Sequence, residues 1–185
     1  MRQLRFTIPL LALLILPCCS DPKADFDTVQ KIQDTSELTI QRTADYSIKA
    51  KACDDAINAL QSFLAKHTEG EWANTARTAI DSWRSRKSSL QQEFASLSQK
   101  LFQLTHDQAV QLAVKHHPAS KIEKIELSDW KSTTDGLKIV VNDVYSVKMR
   151  GQIVGIHVFN FKVNVSGHIS TDTKEVAVDN SAIDE

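Results

Sequence analysis

Two polar side chains interrupt apolar alternations in the C-terminal third of the sequence. Asp143 falls within Leu137, Ile139, Val141, Asp143, Tyr145, Val147 and Met149, and His157 within Ile153, His157, Phe159, Phe161, Val163 and Val165. A carboxylate on an apolar face needs a partner if it is buried. A His–Asp pair is also the one acid–base combination this chain can offer. With a turn at Arg150-Gly151, each residue lies about seven positions from the bend. The pair then meets across two strands, with Cβ atoms about 4.5–5.5 Å apart. Tyr145 on the same face completes a candidate pocket of Asp143, Tyr145 and His157. Catalysis needs a third group to orient such a pair, and no motif supplies one, so the expected role is a buried ion pair or hydrogen bond. The sequence has no Gly-rich phosphate loop, G-x-S-x-G, H-E-x-x-H or C-x-x-C pattern. His116 and His117 are adjacent and point about 100° apart on a helix, which suits a helix C-terminus better than a shared ion. No metal, cofactor or catalytic residue is expected.

The elements that carry these residues change character along the chain. Tyr46, Ala50, Cys53, Ile57, Leu60 and Leu64 form a helical stripe that stops at His67-Thr68-Glu69-Gly70. A second stripe runs through Trp72, Ala76, Ile80, Trp83, Leu90, Phe94, Leu97, Leu101 and Leu104, interrupted by Lys87. Two long stripes joined by a short turn predict an antiparallel hairpin. Phe26, Val29 and Ile32 predict a short helix before it, with a break near Asp34-Thr35-Ser36. Thr105-His106-Asp107-Gln108 has the form of a capping box and predicts a new helix that Pro118 ends. Beyond Pro118 the period becomes two. Ile122, Ile125, Leu127 and Trp130 form a less regular strand before a turn at Thr133-Thr134-Asp135-Gly136, and Gly155 reads as a bulge or kink. The third strand either turns at Ser166-Gly167 or bends there and turns at Thr171-Asp172-Thr173. A last strand includes Val176 and Val178.

The expected fold class is therefore α+β: an N-terminal helical hairpin, then a helix and a three- to four-stranded antiparallel sheet. Residues 25–104 form the hairpin region, 105–180 the α+β module and 181–185 a loose tail. The helix-then-strands order is similar to cystatin-like and nuclear-transport-factor-like folds, a likeness of topology that carries no function. The stretch "ACDDAINALQSFLAKHTEGEWANTARTAI" resembles one helix-turn-helix unit of envelope lipoproteins related to tetratricopeptide repeats, without the recurrence a solenoid needs.

At the N-terminus, Arg2 and Arg5 precede an apolar run from Ile8 to Leu16. The run is shorter than the roughly 20 residues needed to span a bilayer and reads as a secretory signal, residues 1–18. Its end, Leu16-Pro17-Cys18-Cys19, resembles the lipobox of bacterial lipoproteins. The resemblance implies cleavage before Cys19, lipid on that cysteine (Cys18 being the alternative) and a short tether over residues 19–24. It further implies, through Ser20, an outer-membrane destination with the body in the periplasm or at the cell surface. Three acyl chains on one residue would hold the protein without any spanning helix. Cys53 then remains as a lone thiol on an apolar stripe, where it behaves as a small hydrophobe.

Of 185 residues, 42% are apolar and 24% charged, an ordinary globular mix. Losing Arg2 and Arg5 leaves 20 bases against 23 acids, a net charge of −3. That excludes the basic profile of a nucleic-acid binder. Arg77, Arg84, Arg86 and Lys87 concentrate positive charge on the long helix, and with Trp72 and Trp83 they mark a candidate partner surface. The leading expectation is a non-enzymatic envelope lipoprotein acting through an envelope protein partner, anchored to the membrane by its lipid. The alternative is a module whose curled sheet holds a small ligand or lipid.

Overall fold

The computed structural model describes residues 21–151 and 156–184. The signal-like segment, Cys18, Cys19, Ile153 and Gly155 lie outside the described residues. Within them the chain is α+β: three helices followed by a four-stranded antiparallel sheet.

Helix α1 spans Pro22–Arg42. Asp21 caps it by accepting a hydrogen bond from the Lys23 amide, and Pro22 occupies the first turn, where its missing N–H costs nothing. Residues 22–24, expected in the tether, are thus helical. The expected break at Asp34-Thr35-Ser36 does not occur either. Phe26, Val29, Gln33, Ser36 and Ile40 line one continuous buried face. Gln33 is accommodated there because its Oε1 accepts from Trp83 Nε1 at 2.9 Å. The break comes instead at Thr43-Ala44-Asp45, where Asp45 caps α2 (Tyr46–Leu64) by accepting from the Ser47 amide at 2.7 Å.

Gly70, with φ of 95°, takes the left-handed conformation that starts α3, which runs 46 residues from Glu71 to His116. At 1.5 Å per residue this helix is about 70 Å long. Its N-terminal half packs against α1 and α2 around Phe26, Ile57, Leu60, Phe63, Ile80 and Trp83, making a three-helix unit instead of a two-helix hairpin. Lys87, the interruption in the stripe, is paired with Asp54 at 2.7 Å. No new helix begins at Thr105. With no Gly or Pro nearby to stop it, α3 continues, and Thr105 points its hydroxyl into the protein.

Strands β1 (Ser120–Asp135), β2 (Lys138–Gly151), β3 (Val158–Ser170) and β4 (Glu175–Asp184) form a simple meander in chain order. Asp135 pairs with Lys138 across Gly136-Leu137, and Gly136 supplies the positive φ, 55°, of that tight turn. Two register shifts, at Ile122/Lys124 and Leu127/Asp129, explain the irregular spacing in β1. Each extra residue restores the phase, so Ile122, Ile125, Leu127 and Trp130 all oppose inward-facing residues of β2.

Strand β3 does not turn at Gly167; it continues to Ser170, and the chain turns over 171–174. Gly167 is crowded by both α3 and β4. A Cβ there would lie 2.7 Å from the Ala177 carbonyl oxygen and 3.0 Å from Leu101 Cδ1. Residues 181–184, expected to be loose, belong to β4, with Ile183 opposite Val163.

The C-terminal half of α3 lies across the inner face of the sheet. Leu97, Leu101, Thr105, Ala109 and Ala113, four apart, are the buried positions. The alanines let the helix sit close to Tyr145, Val147, Met149, Phe161, Val163 and Val165. The helix crosses chiefly over β3 and β4 and touches β1 and β2 much less. The inner face of β1 is therefore only partly covered, with Leu127 and Trp130 exposed, although Asp143, Tyr145, Val147 and Met149 of β2 are buried.

Candidate functional site

The uncovered strip forms a cleft of about 320 Å³ between α3 and strands β1 and β2. Helix α3 contributes Phe94, Ser98, Leu101 and Phe102, β1 contributes Leu127, Trp130 and Ser132, and β2 contributes Ile139, Val141 and Asp143, with Ile169 of β3 behind them. The bulges in β1 aim Leu127 and Trp130 inward, opposite Tyr145 and Asp143. Trp130 is nonetheless 63% exposed, the largest such value for a described aromatic in this region. Phe94, Phe102 and Leu127 are also exposed around the opening. Such volumes sit at the small end of ligand sites, which run about 300–1,000 Å³ and are mostly apolar with a few placed polar groups.

Asp143 is the sole ionisable residue in this lining. It is buried, and its Oδ2 lies 3.0 Å from Thr105 Oγ1. Thr105 Oγ1 is in turn 2.7 Å from the Tyr145 hydroxyl, and both of these residues are fully enclosed. Thr105 has one proton. Its contact with the Phe102 carbonyl, at 3.1 Å, competes for that proton with a carboxylate, the stronger acceptor. The consistent arrangement is a chain in which Tyr145 donates to Thr105 and Thr105 donates to Asp143. Burial pushes the Asp143 carboxyl up from its ordinary value, and the Thr105 hydrogen bond opposes this in part. Burial likewise raises the Tyr145 phenol, with help from the Asp143 charge.

The expected pairing of Asp143 with His157 is not formed. Asp143 faces Val165, and ladder pairing of β2 with β3 ends at Arg150 and Val158, so Arg150-Gly151 belongs to a strand end and not to a two-residue turn. His157 is exposed beside Phe159, with ring centroids 6.4 Å apart. Tyr145 lies beneath the cleft as part of the hydrogen-bond chain, not on its wall. Thr105 is the residue sequence reasoning missed. Its signal was its phase: it stands four residues after Leu101 and four before Ala109 on the buried face.

The other candidates are dispersed. Trp83 is buried in the three-helix core, and Trp72 packs on Phe26 at 5.1 Å, so neither is an open surface aromatic. Arg77 is bonded to Asn74 and the Thr68 carbonyl, and Arg84 lies 3.6 Å from Asp81. His117 stacks on Phe159 at 4.0 Å and sits against His116. Among the described residues, no three His, Cys, Asp or Glu side chains are placed to hold a metal ion. Cys53 is buried, and burial raises its thiol pKa, which makes it unreactive.

Chemically the cleft can receive an apolar group and offer it a few polar contacts, from Ser98, Ser132 and Asp143. No protein-family model matches the chain, and neither the curated proteins nor the solved structures yielded a match.

Proposed function

We propose that this is a lipid-anchored bacterial envelope protein that works by binding, and that the cleft between α3, β1 and β2 holds a small apolar ligand or the apolar part of a lipid. One observation carries the reading: Trp130, Leu127, Phe94 and Phe102 stay exposed around a preformed opening, while Phe161, Val163, Val165 and Ile169 on the inner face of β3 are buried. Apolar side chains gathered in this way around a concavity gain about 25 cal/mol for each Å² removed from water. A binding role, not catalysis, is supported by the cleft having Asp143 as its single acid–base group.

The anchor rests on the Leu16-Pro17-Cys18-Cys19 junction. With Asp21 capping α1, a lipid on Cys19 would leave Ser20 as the only spacer, so the helical body would ride close to the outer membrane, in the periplasm or at the cell surface. An envelope protein partner is the second reading, but the hairpin surface proposed for it has Trp83 in the core.

The cleft is tested with N-phenylnaphthylamine, a neutral apolar dye that brightens when it leaves water. Bright, saturable binding should be abolished by Leu127→Asp at the rim. Binding undiminished in that variant would move the site elsewhere. The anchor is tested with labelled palmitate, which should enter the wild type and be lost in Cys19→Ser. Retention of label in Cys19→Ser with loss in Cys18→Ser moves the lipid by one residue, and no label in the wild type removes the anchor.

A further inference from the structure

The charge layout of the cleft narrows the ligand class, an inference that rests on the binding reading above. A fatty acid or another anionic amphiphile needs a cation or a set of donors to receive its head group. The lining has no cation, and its polar members are Ser98, Ser132 and Asp143, so two separate hydroxyls are the donors it could offer. Lys131, the nearest base along β1, pairs with Asn142 and so lies on the opposite face of the sheet from Trp130 and Asp143. His106 is at the adjoining rim, with Phe102, Ile125 and Leu127, and its ring faces Tyr145 edge-on at 5.9 Å. An anion entering would meet a carboxylate.

Asp143 is placed to receive the opposite charge. Thr105 occupies its Oδ2, which leaves Oδ1 as the carboxyl oxygen for an incoming donor. The aromatic rings of Trp130, Phe94 and Phe102 stand around the same space, and ring faces attract a cation within about 6 Å. A buried carboxylate with a single hydrogen bond is costly, and a protonated amine offsets part of that cost by pairing with it.

We infer that the cleft selects amphipathic amines: molecules with a short apolar body and one protonated amino group, the amine meeting Asp143 and the apolar body lying against Trp130 and Phe102.

The test uses three probes with the same eight-carbon chain: octylammonium chloride, octanol and sodium octanoate. The full chain is produced with Cys18 and Cys19 both changed to Ser, so that no attached lipid competes for the cleft. Calorimetry gives affinities, and tryptophan emission, compared with Trp130→Phe, gives location. Octylammonium should bind at least about tenfold more tightly than octanol, and octanoate most weakly. Asp143→Asn should bring octylammonium down to the level of octanol and leave octanol unchanged. Ser132→Lys, an exposed substitution that does not test folding, should weaken octylammonium and strengthen octanoate. Octanol binding as tightly as octylammonium, octanoate binding best, or an unaltered preference in both variants would overturn the amine assignment while leaving an apolar cleft. Failure of all three probes to bind would instead remove the cleft reading, and the amine inference with it.

Discussion

Thr105→Val isolates the polar device beneath the cleft. The substitution keeps the shape of the side chain and its methyl contact toward Gly167, and removes the one hydroxyl that both Asp143 and Tyr145 use. Leaving a buried polar group unpaired costs about 1–3 kcal/mol, and more for a charge. Tyr145 is fully enclosed and loses its partner outright. Asp143 borders the cleft, where water can replace part of what is lost, so its share falls at the low end of that range. The sum is about 2–4 kcal/mol, a substantial part of the roughly 5–15 kcal/mol that holds most domains folded. Urea unfolding followed by circular dichroism should show the midpoint falling with an unchanged slope. Thr105→Ser, which keeps the hydroxyl, should cost distinctly less. Tyr145→Phe combined with Thr105→Val should cost less than the two single changes added together, because the second removes a group the first had already orphaned. A Thr105→Val cost below about 1 kcal/mol, or equal to that of Thr105→Ser, would refute the hydrogen-bond chain.

Leu60, fully buried where α2 meets α3, should cost about 2–5 kcal/mol on replacement by Ala, and a change under about 0.5 kcal/mol would mean that face is not a core. Gly167→Ala places a methyl 2.7 Å from a backbone oxygen and should destabilise by about 1–3 kcal/mol, measured by thermal unfolding; a neutral result would show that β4 yields there. The pH dependence of Asp143 follows from its raised folded-state pKa. Its contribution to stability is fully present below the unfolded value, about 3.9, and is lost as pH rises through the higher folded value. Asp143→Asn, which carries no charge at any pH, should therefore gain on the wild type as pH is raised from about 3 to 7 in paired urea titrations. The reverse trend would show a carboxylate stabilised in place.

The alternation in β2 and β3 was legible because one face is buried and the other is not, and period two is the whole signal. The register could also have been read. Both strands turn odd-numbered residues inward, and residues directly opposite in an antiparallel pair share a face. Partner numbers must then sum to an even number, as Asp143 and Val165 do. A two-residue turn at Arg150-Gly151 gives odd sums, whereas Asp143 and His157 sum to 300, so the expected pair kept the parity of the strands but contradicted the turn that was meant to form it. Gly151 drew the turn because glycine favours bends. Its actual setting is a strand end where a Cβ would lie 3.2 Å from Phe159 Cε2.

The helices failed for a related reason: local capping signals were allowed to outrank phase. Thr105-His106-Asp107-Gln108 satisfies a capping box in isolation, yet Leu97, Leu101, Thr105, Ala109 and Ala113 keep one unbroken spacing of four through it. A threonine in that series is either a helix start or a buried hydroxyl, and a buried hydroxyl demands a partner. Asp143 was already the polar residue on the facing apolar surface in want of one. Matching the two orphans, one from the helix stripe and one from the strand, would have joined Thr105 to Asp143 across 38 residues of sequence. What remained beyond reach was the offset of α3 toward β3 and β4. That offset comes from the close approach at Gly167 and the small residues Ala109 and Ala113, and it is what leaves Trp130 and Leu127 uncovered beside Asp143. The cleft is therefore a consequence of where a helix can come nearest a sheet, a property of pairs of distant residues that no single stretch displays.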